Sequence, residues 1–247
     1  MDDERRASSA RETYDRIAEH FASTRAYPWP EVRAFLTGEA EGDLDDAAER
    51  LRGAAAPADR SAPASGRPTD VALDLGCGNG RHAEVLTQVV DAVVGVDVSG
   101  RLLRTARKRA AARGFDDSLR AVQADAAALP LRSGTVAVAV YVAALHHLRP
   151  RERRVRSLSE LNRVLVPDGR ALVSAWSTAH DRFEASEGFD TTVDWTLPGG
   201  ESVPRFYHIY DPGEFAADVR ASDLRLLDAV VSSGNCYAVV EGSAAGR

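Results

Sequence analysis

"VALDLGCGNGRH", residues 71–82, decides the fold. It opens as a short apolar run holding one acid, Asp74, which suits a buried strand. Gly76, Gly78 and Gly80 follow, and "RHAEVLTQVV" then carries helical spacing. A strand that turns through spaced glycines into a helix lets backbone pass close to a ligand at the carboxyl edge of a sheet. The same glycines also suit a tight strand–helix corner with no ligand, so both readings start here.

Working outward, "AVVGVDVS" is a second apolar run ending in an acid. "GRLLRTARKRAAARG" is helical and closed by Gly114. "LRAVQAD" and "VAVAVYVAAL" read as strands. "RERRVRSLSELNRVLVPDG" has an apolar stripe at Val155, Leu158, Leu161 and Leu165, and "RALVSAW" is another strand. Strands alternating with helices predict βαβ units and a parallel sheet covered on both faces. From Trp176 to about Tyr210 the chain reads as irregular. "DPGEFAADVRAS" is then helical, and "LRLLDAVVS" and "GNCYAVVE" form an antiparallel pair. The expected fold is α/β: a Rossmann-like, seven-stranded, mostly parallel sheet with helices on both faces and an antiparallel C-terminal strand pair. Residues 1–37 read as an N-terminal helical lid. Residues 38–70 hold a short acidic helix and then an Ala, Pro, Ser and Gly tract, an exposed and mobile insertion. Residues 71–247 form the core, with substrate loops at about 177–210.

The 247 residues suit one large domain with additions. No run of eighteen apolar residues spans a membrane. The charged start "MDDERRASSARETYD" lacks the apolar stretch of a secretory signal. Cys77 and Cys236 make neither a disulfide framework nor a metal site, so a reducing cytoplasm is expected and no metal is assigned. The net charge of −6 argues mildly against a general nucleic-acid binder.

Asp97 ends the second strand and Asp125 the third. An acid at Asp97's position grips a ribose diol. The glycine spacing is G-x-G-x-G, not the G-x-G-x-x-G of dinucleotide sites. Asp74, two residues before the first glycine, repels a pyrophosphate but accepts a hydrogen bond from an ammonium group. With "GVDVS" and "QADAAALP" behind it, this pattern resembles the class I S-adenosylmethionine-dependent methyltransferases over residues 71 to about 176. The resemblance implies S-adenosyl-L-methionine as cofactor. It places Gly76, Gly78 and Gly80, with Cys77 between them, at the amino-acid end, Asp97 and its neighbour Val98 at the ribose, and Asp125 with Ala126 at the adenine.

His146 and His147 fall at the end of the fourth strand, on the cofactor edge, where they either pack beneath the next helix or face the acceptor. Arg149, Arg151, Arg153, Arg154 and Arg156 follow, either a solvated face or an anion-binding surface. There is no D/N-P-P-Y/F motif after that strand, and neither cysteine is placed as a pyrimidine C5 nucleophile.

"HFASTRAYPWP", "VAALHHL", "RERRVRSLSELNRVL" and "VPRFYHIYDPGEF" together resemble the tRNA methyltransferases that esterify the carboxymethyl group on the wobble uridine. The match is collinear outside residues 38–70 and weakens between Thr178 and Val203. It implies a tRNA substrate and a small zinc-binding activator subunit. A carboxylate acceptor is already ionised, so it needs a cation rather than a base; Arg25 suits a two-point clamp. That clamp holds either the acceptor or the methionine end of the cofactor. Tyr14 and Trp29 either cover cofactor or base by stacking or pack the lid helix. Tyr207 and His208 line the pocket from the far side, and Arg153 and Arg154 face the substrate. The competing readings are a small-molecule O- or N-methyltransferase and a cofactor-binding scaffold without turnover.

Overall fold

The computed structural model describes residues 9–38, 46–52, 54 and 71–243. Most of the 38–70 insertion therefore lies outside the described residues. Seven strands form the main sheet: β1 (Val71–Leu75), β2 (Ala92–Asp97), β3 (Leu119–Gln123), β4 (Val136–Val142), β5 (Leu165–Trp176), β8 (Arg225–Ser232) and β9 (Asn235–Glu241). Their order is β3-β2-β1-β4-β5-β9-β8. Strands β1 to β5 pair in parallel, and β9 runs antiparallel to both β5 and β8. The order reverses between β1 and β4, which opens a crevice at the carboxyl ends of those strands.

Helices cover both faces. On one side, α6 (Arg151–Val164) and α7 (Pro212–Arg220) bury Leu158, Leu161, Phe215 and Val219 against the sheet. On the other, α2 (Pro30–Thr37), α4 (Arg81–Leu86) and α5 (Gly100–Arg113) bury Val32, Phe35, Leu86, Ala106 and Ala110. Truncating one such leucine, Leu161→Ala, should cost about 2–5 kcal/mol through lost burial and a residual void. The short α3 (Asp46–Leu51) buries Leu51 in the second cluster.

Helix α1 (Ala10–Ser23) starts at a reciprocal cap: Glu12 N–H donates to Ser9 Oγ at 3.3 Å, and Ser9 N–H donates to Glu12 Oε2 at 3.0 Å. It lies over the sheet's carboxyl edge and is tied there by Asp15, whose carboxylate accepts from Ser99 Oγ at 2.7 Å and Arg101 N–H at 3.0 Å.

Residues 189–209, read as irregular from the sequence, form a hairpin of β6 (Phe189–Thr196) and β7 (Ser202–Ile209). The period-2 signal is present: Val193 and Trp195 are buried, while Thr192, Asp194 and Thr196 are exposed. Polar Asp and Thr dilute that alternation, and its apolar side meets α1 rather than the main core. Ile17 of α1 packs on Trp195 and Val203, flanked by Tyr14 and Phe21. The hairpin and α1 together roof the crevice.

Candidate active site

A cavity of ≈ 610 Å³ sits under this roof, of a size that takes a nucleoside-sized ligand. Its floor is the glycine turn. Gly76 has φ +72°, and a Cβ there would stand 2.3 Å from Ala144 Cβ. Only glycine lets the β1 and β4 turns approach this closely. Gly78, at φ +53°, leaves its surface open beside Phe21. Gly80 serves packing: a Cβ there would press on Ala106 Cβ at 3.2 Å. Asn79, within the turn, donates to Arg25 O at 2.8 Å and Ala22 O at 3.3 Å, fastening the end of α1 to the loop.

Three acids surround this floor. Asp74 is buried, and its Oδ2 has no hydrogen-bond partner. Burial pushes its carboxyl up to about 7, against a hydrogen bond from the Ala83 N–H and with Asp97 adding to the rise. Asp97 accepts from Gly78 N–H and Ser99 N–H, each at 2.8 Å, and burial lifts it to about 6. Asp125 accepts Ala127 N–H at 2.9 Å and pairs with Arg153. A buried carboxylate oxygen with no donor fits the ammonium of an amino-acid ligand. Asp97, Val98, Asp125 and Ala126 line the wall beyond it, where a nucleoside would extend. The residues therefore fit S-adenosylmethionine.

The opposite wall comes from α1, the 3₁₀ turn Leu145–His147 and β7. Tyr14 Oη lies 2.7 Å from His147 Nε2, and His147 Nδ1 lies 2.8 Å from Phe206 O. A carbonyl has no proton to give, so Nδ1 carries the hydrogen and Tyr14 donates to Nε2. Burial pushes His147 down to about 4, helped by Arg205 and opposed by the Phe206 carbonyl. His146 is buried, and its Nδ1 accepts the Trp176 N–H at 3.1 Å. Burial, then His147, holds His146 well below the usual histidine range. Both imidazoles are neutral at pH 7, and in each the acceptor nitrogen is already engaged. Burial, then Tyr207, raises the Tyr14 phenol well above its ordinary value.

Among the expected site residues, Tyr14, Gly76, Cys77, Gly78, Asp97, Val98, Asp125, Ala126, His147 and Arg153 share this cavity, while Asp74 is buried in β1, one residue before the lining Leu75. The others take places around it. His146 stacks on Tyr207, with ring centroids 4.7 Å apart. Arg25 lies over Phe21 and Trp195, at 5.5 and 5.3 Å. Trp29 packs edge-on to His82 and Tyr237 beneath Arg81. Arg154 is buried, donating to Tyr210 Oη at 2.8 Å and pairing with Glu214 and Asp218. His208 is held between Asp190 at 2.7 Å and Glu214 at 2.9 Å. Asn79 and Arg205 escaped the sequence reading. Asn79's place inside the glycine turn was a usable signal; Arg205 gave none, since its surroundings assemble only in three dimensions.

The fold and cavity fit a class of transferase: residues 73–173 match the family model described as a methyltransferase domain. Within that class it is 31% identical over 166 residues to the mouse "tRNA (carboxymethyluridine(34)-5-O)-methyltransferase ALKBH8", covering 67% of this chain and 19% of that protein. It therefore spans about a fifth of that relative's length. It is also 25% identical over 255 residues to the Schizosaccharomyces pombe "tRNA (carboxymethyluridine(34)-5-O)-methyltransferase", covering 93% of this chain and 94% of that one. Among solved structures, the "[4+2]-Cyclase SpnF" superposes with a TM-score of 0.65 at 17% identity over 96% of this chain and 97% of that one, a likeness of fold alone.

Proposed function

We propose that this protein transfers a methyl group from S-adenosylmethionine to a carboxylate, the carboxymethyl group of a wobble uridine in tRNA. One observation carries this reading. The wall facing the glycine turn offers no base: His147 has its lone pair on Tyr14, His146 has its own on the Trp176 N–H, and Tyr14 is held protonated. The remaining titratable groups on that wall, among the described residues, are Arg11, Arg149 and Arg205, all cations. An amine or hydroxyl acceptor would need a proton removed; a carboxylate arrives ionised.

When bound, the cofactor would supply a methyl carbon on a sulfonium; its transfer to an ionised acceptor oxygen would form the O–CH3 bond, return the C–S electron pair to sulfur and move no proton. The chain's task is then positioning. Asp74 would hold the ammonium, Asp97 the ribose, and Asp125 with Ala126 the adenine. The Tyr14–His147–Phe206 chain fixes the wall at a set distance, while Arg11, Arg149 and Arg153 at the mouth draw a phosphate backbone. The names of the relatives supply the tRNA part of the reading. Arg25, Tyr207 and His208 support it as part of the roof, whereas Trp29 packs on His82 and Tyr237 and Arg154 joins α6 to α7.

The substrate places the protein in the cytoplasm; no described helix is long and apolar enough to cross a membrane. We further propose a zinc-binding activator subunit against a sheet edge. The exposure of Leu227 and Val231 on the edge strand β8 supports such a cover. The test of the reaction is methyl transfer from labelled cofactor to tRNA carrying carboxymethyluridine, followed by nucleoside mass spectrometry. The ester should appear, at a rate that is flat from pH 6 to 9 once the cofactor is saturating. Labelling of free small acids with none in tRNA, or a rate at saturating cofactor that rises through pH 6–7, would overturn the reading.

A further inference from the structure

Arg205 is a cation without a counter-charge. It is 7% exposed and lies on β7, lining the cavity beside Tyr14, His147 and Phe206. Its Nη1 donates to Tyr207 Oη at 2.7 Å. Its Nε is buried and has no partner. Among the described residues no carboxylate stands within 4.0 Å of it, whereas Arg109, Arg151, Arg154 and Arg163 all have one. Two rings flank the guanidinium, Trp195 at 4.9 Å and Tyr207 at 5.1 Å. Ring faces return only part of what removing a charge from water costs. Arg25 lies over the same Trp195 ring at 5.3 Å, so a second cation adds repulsion. A buried, unpaired guanidinium with a free N–H edge on a cavity wall is an anion site.

We propose that Arg205, steadied by Tyr207 and Trp195, is the residue that grips the acceptor's carboxylate and makes the enzyme select an acid over its neutral analogue. The proposal rests on the carboxylate reading given above. The unpartnered Nε–H suits one oxygen of a planar carboxylate. Holding the acceptor by its charge has a second consequence. Methylation removes that charge, so the ester no longer pairs with Arg205 and the product leaves.

The experiment uses the full chain and an anticodon stem-loop RNA in three forms: with 5-carboxymethyluridine, with its carboxamide analogue and with its methyl ester. Binding is read by fluorescence anisotropy with S-adenosylhomocysteine present. The wild type should prefer the acid over both neutral forms by about ten- to a hundredfold, the worth of a charge-assisted pair. Arg205→Gln should bind all three alike, with affinity for the amide and for S-adenosylhomocysteine unchanged. Arg205→Lys, which keeps the charge and packs more conservatively, should retain part of the preference. Full acid preference in Arg205→Gln, or none in the wild type, overturns the assignment. Methyl transfer by the wild type to the acid stem-loop separates the two claims. If the ester forms while Arg205→Gln keeps its preference, only the assignment of Arg205 fails. If no ester forms while the preference depends on Arg205, the anion site stands and the proposed reaction fails.

Discussion

The two walls of the cavity, one proposed to hold the cofactor and the other the acceptor, are built on opposite principles. The cofactor wall is made of turns: Gly76, Gly78, Asp97 and Asp125 each stand within a few residues of a strand end, and their partners are mostly backbone groups nearby. The acceptor wall is made of side chains meeting from distant segments. Tyr14 and His147 are 133 residues apart, His147 and Phe206 59, and Trp195 and His20 175. One wall is a property of the parallel sheet itself. The other exists only once α1 and the hairpin have closed over it. Methyl-donor binding and acceptor choice should therefore fail separately when each wall is damaged.

The largest expected effect lies in the cofactor wall. Gly76→Ala places a Cβ 2.3 Å from Ala144 Cβ at a positive φ. The backbone term alone is about 1–2 kcal/mol, and the overlap adds to it. Calorimetry should find S-adenosylhomocysteine binding weakened more than about a hundredfold. A variant that binds within threefold of wild type would show that the β1 and β4 turns need not touch.

Protonation gives the next effect. Asp74 titrates at about 7 in the ligand-free protein. Below that pH the carboxyl must shed its proton before it pairs with an ammonium. Affinity should therefore fall by up to about tenfold per unit as pH drops from 7 to 5 and stay level above 7. Binding should release a proton in that lower window. The ligand-free fold has the opposite slope. It holds a proton that the unfolded chain has lost between pH 4 and 7, so its stability declines as pH rises through that range. Asp74→Asn should remove the part of both slopes that lies above Asp97's own titration at about 6. A binding curve with no slope between pH 5 and 7 would remove Asp74 from the ammonium.

The same contrast governs what could be read from the sequence. The strand run "VALDL", the glycine spacing and the acids at 97 and 125 are local patterns, and each kept its expected neighbours. The hairpin at 189–209 was lost because its buried positions are few and its apolar side faces α1. Arg205 lies inside the stretch "VPRFYHIYDPGEF", but that stretch does not single it out; its meaning comes from Tyr207 and Trp195 and from a missing acid. The histidine pair was visible, but its state was not. Whether His147 is a base depends on Tyr14 at the other end of the chain.

Tyr14→Phe tests the acceptor wall alone. The substitution keeps the ring between Phe21 and His147 and removes the donor to Nε2. Turnover on carboxymethylated tRNA should fall by about tenfold through lost positioning, with cofactor affinity unchanged. Equal losses in both would mean that the walls do not act independently.

The smallest effect is expected where the roof is held by exposed charge. Arg16 of α1 pairs with Glu201 in the hairpin turn, and both side chains are about half exposed. Such a pair contributes roughly 0–0.5 kcal/mol, because water already solvates each partner. The apolar contact of Ile17, Trp195 and Val203, with the Trp195 Nε1–H donating to His20 at 3.1 Å, should carry the joint instead. Arg16→Ala is then expected to lower the melting temperature by less than about 2 °C and to leave acceptor binding unchanged in 0.5 M salt. A larger, salt-sensitive loss would mean that the roof closes by a polar clasp, and that the acceptor wall is assembled by charge rather than by burial.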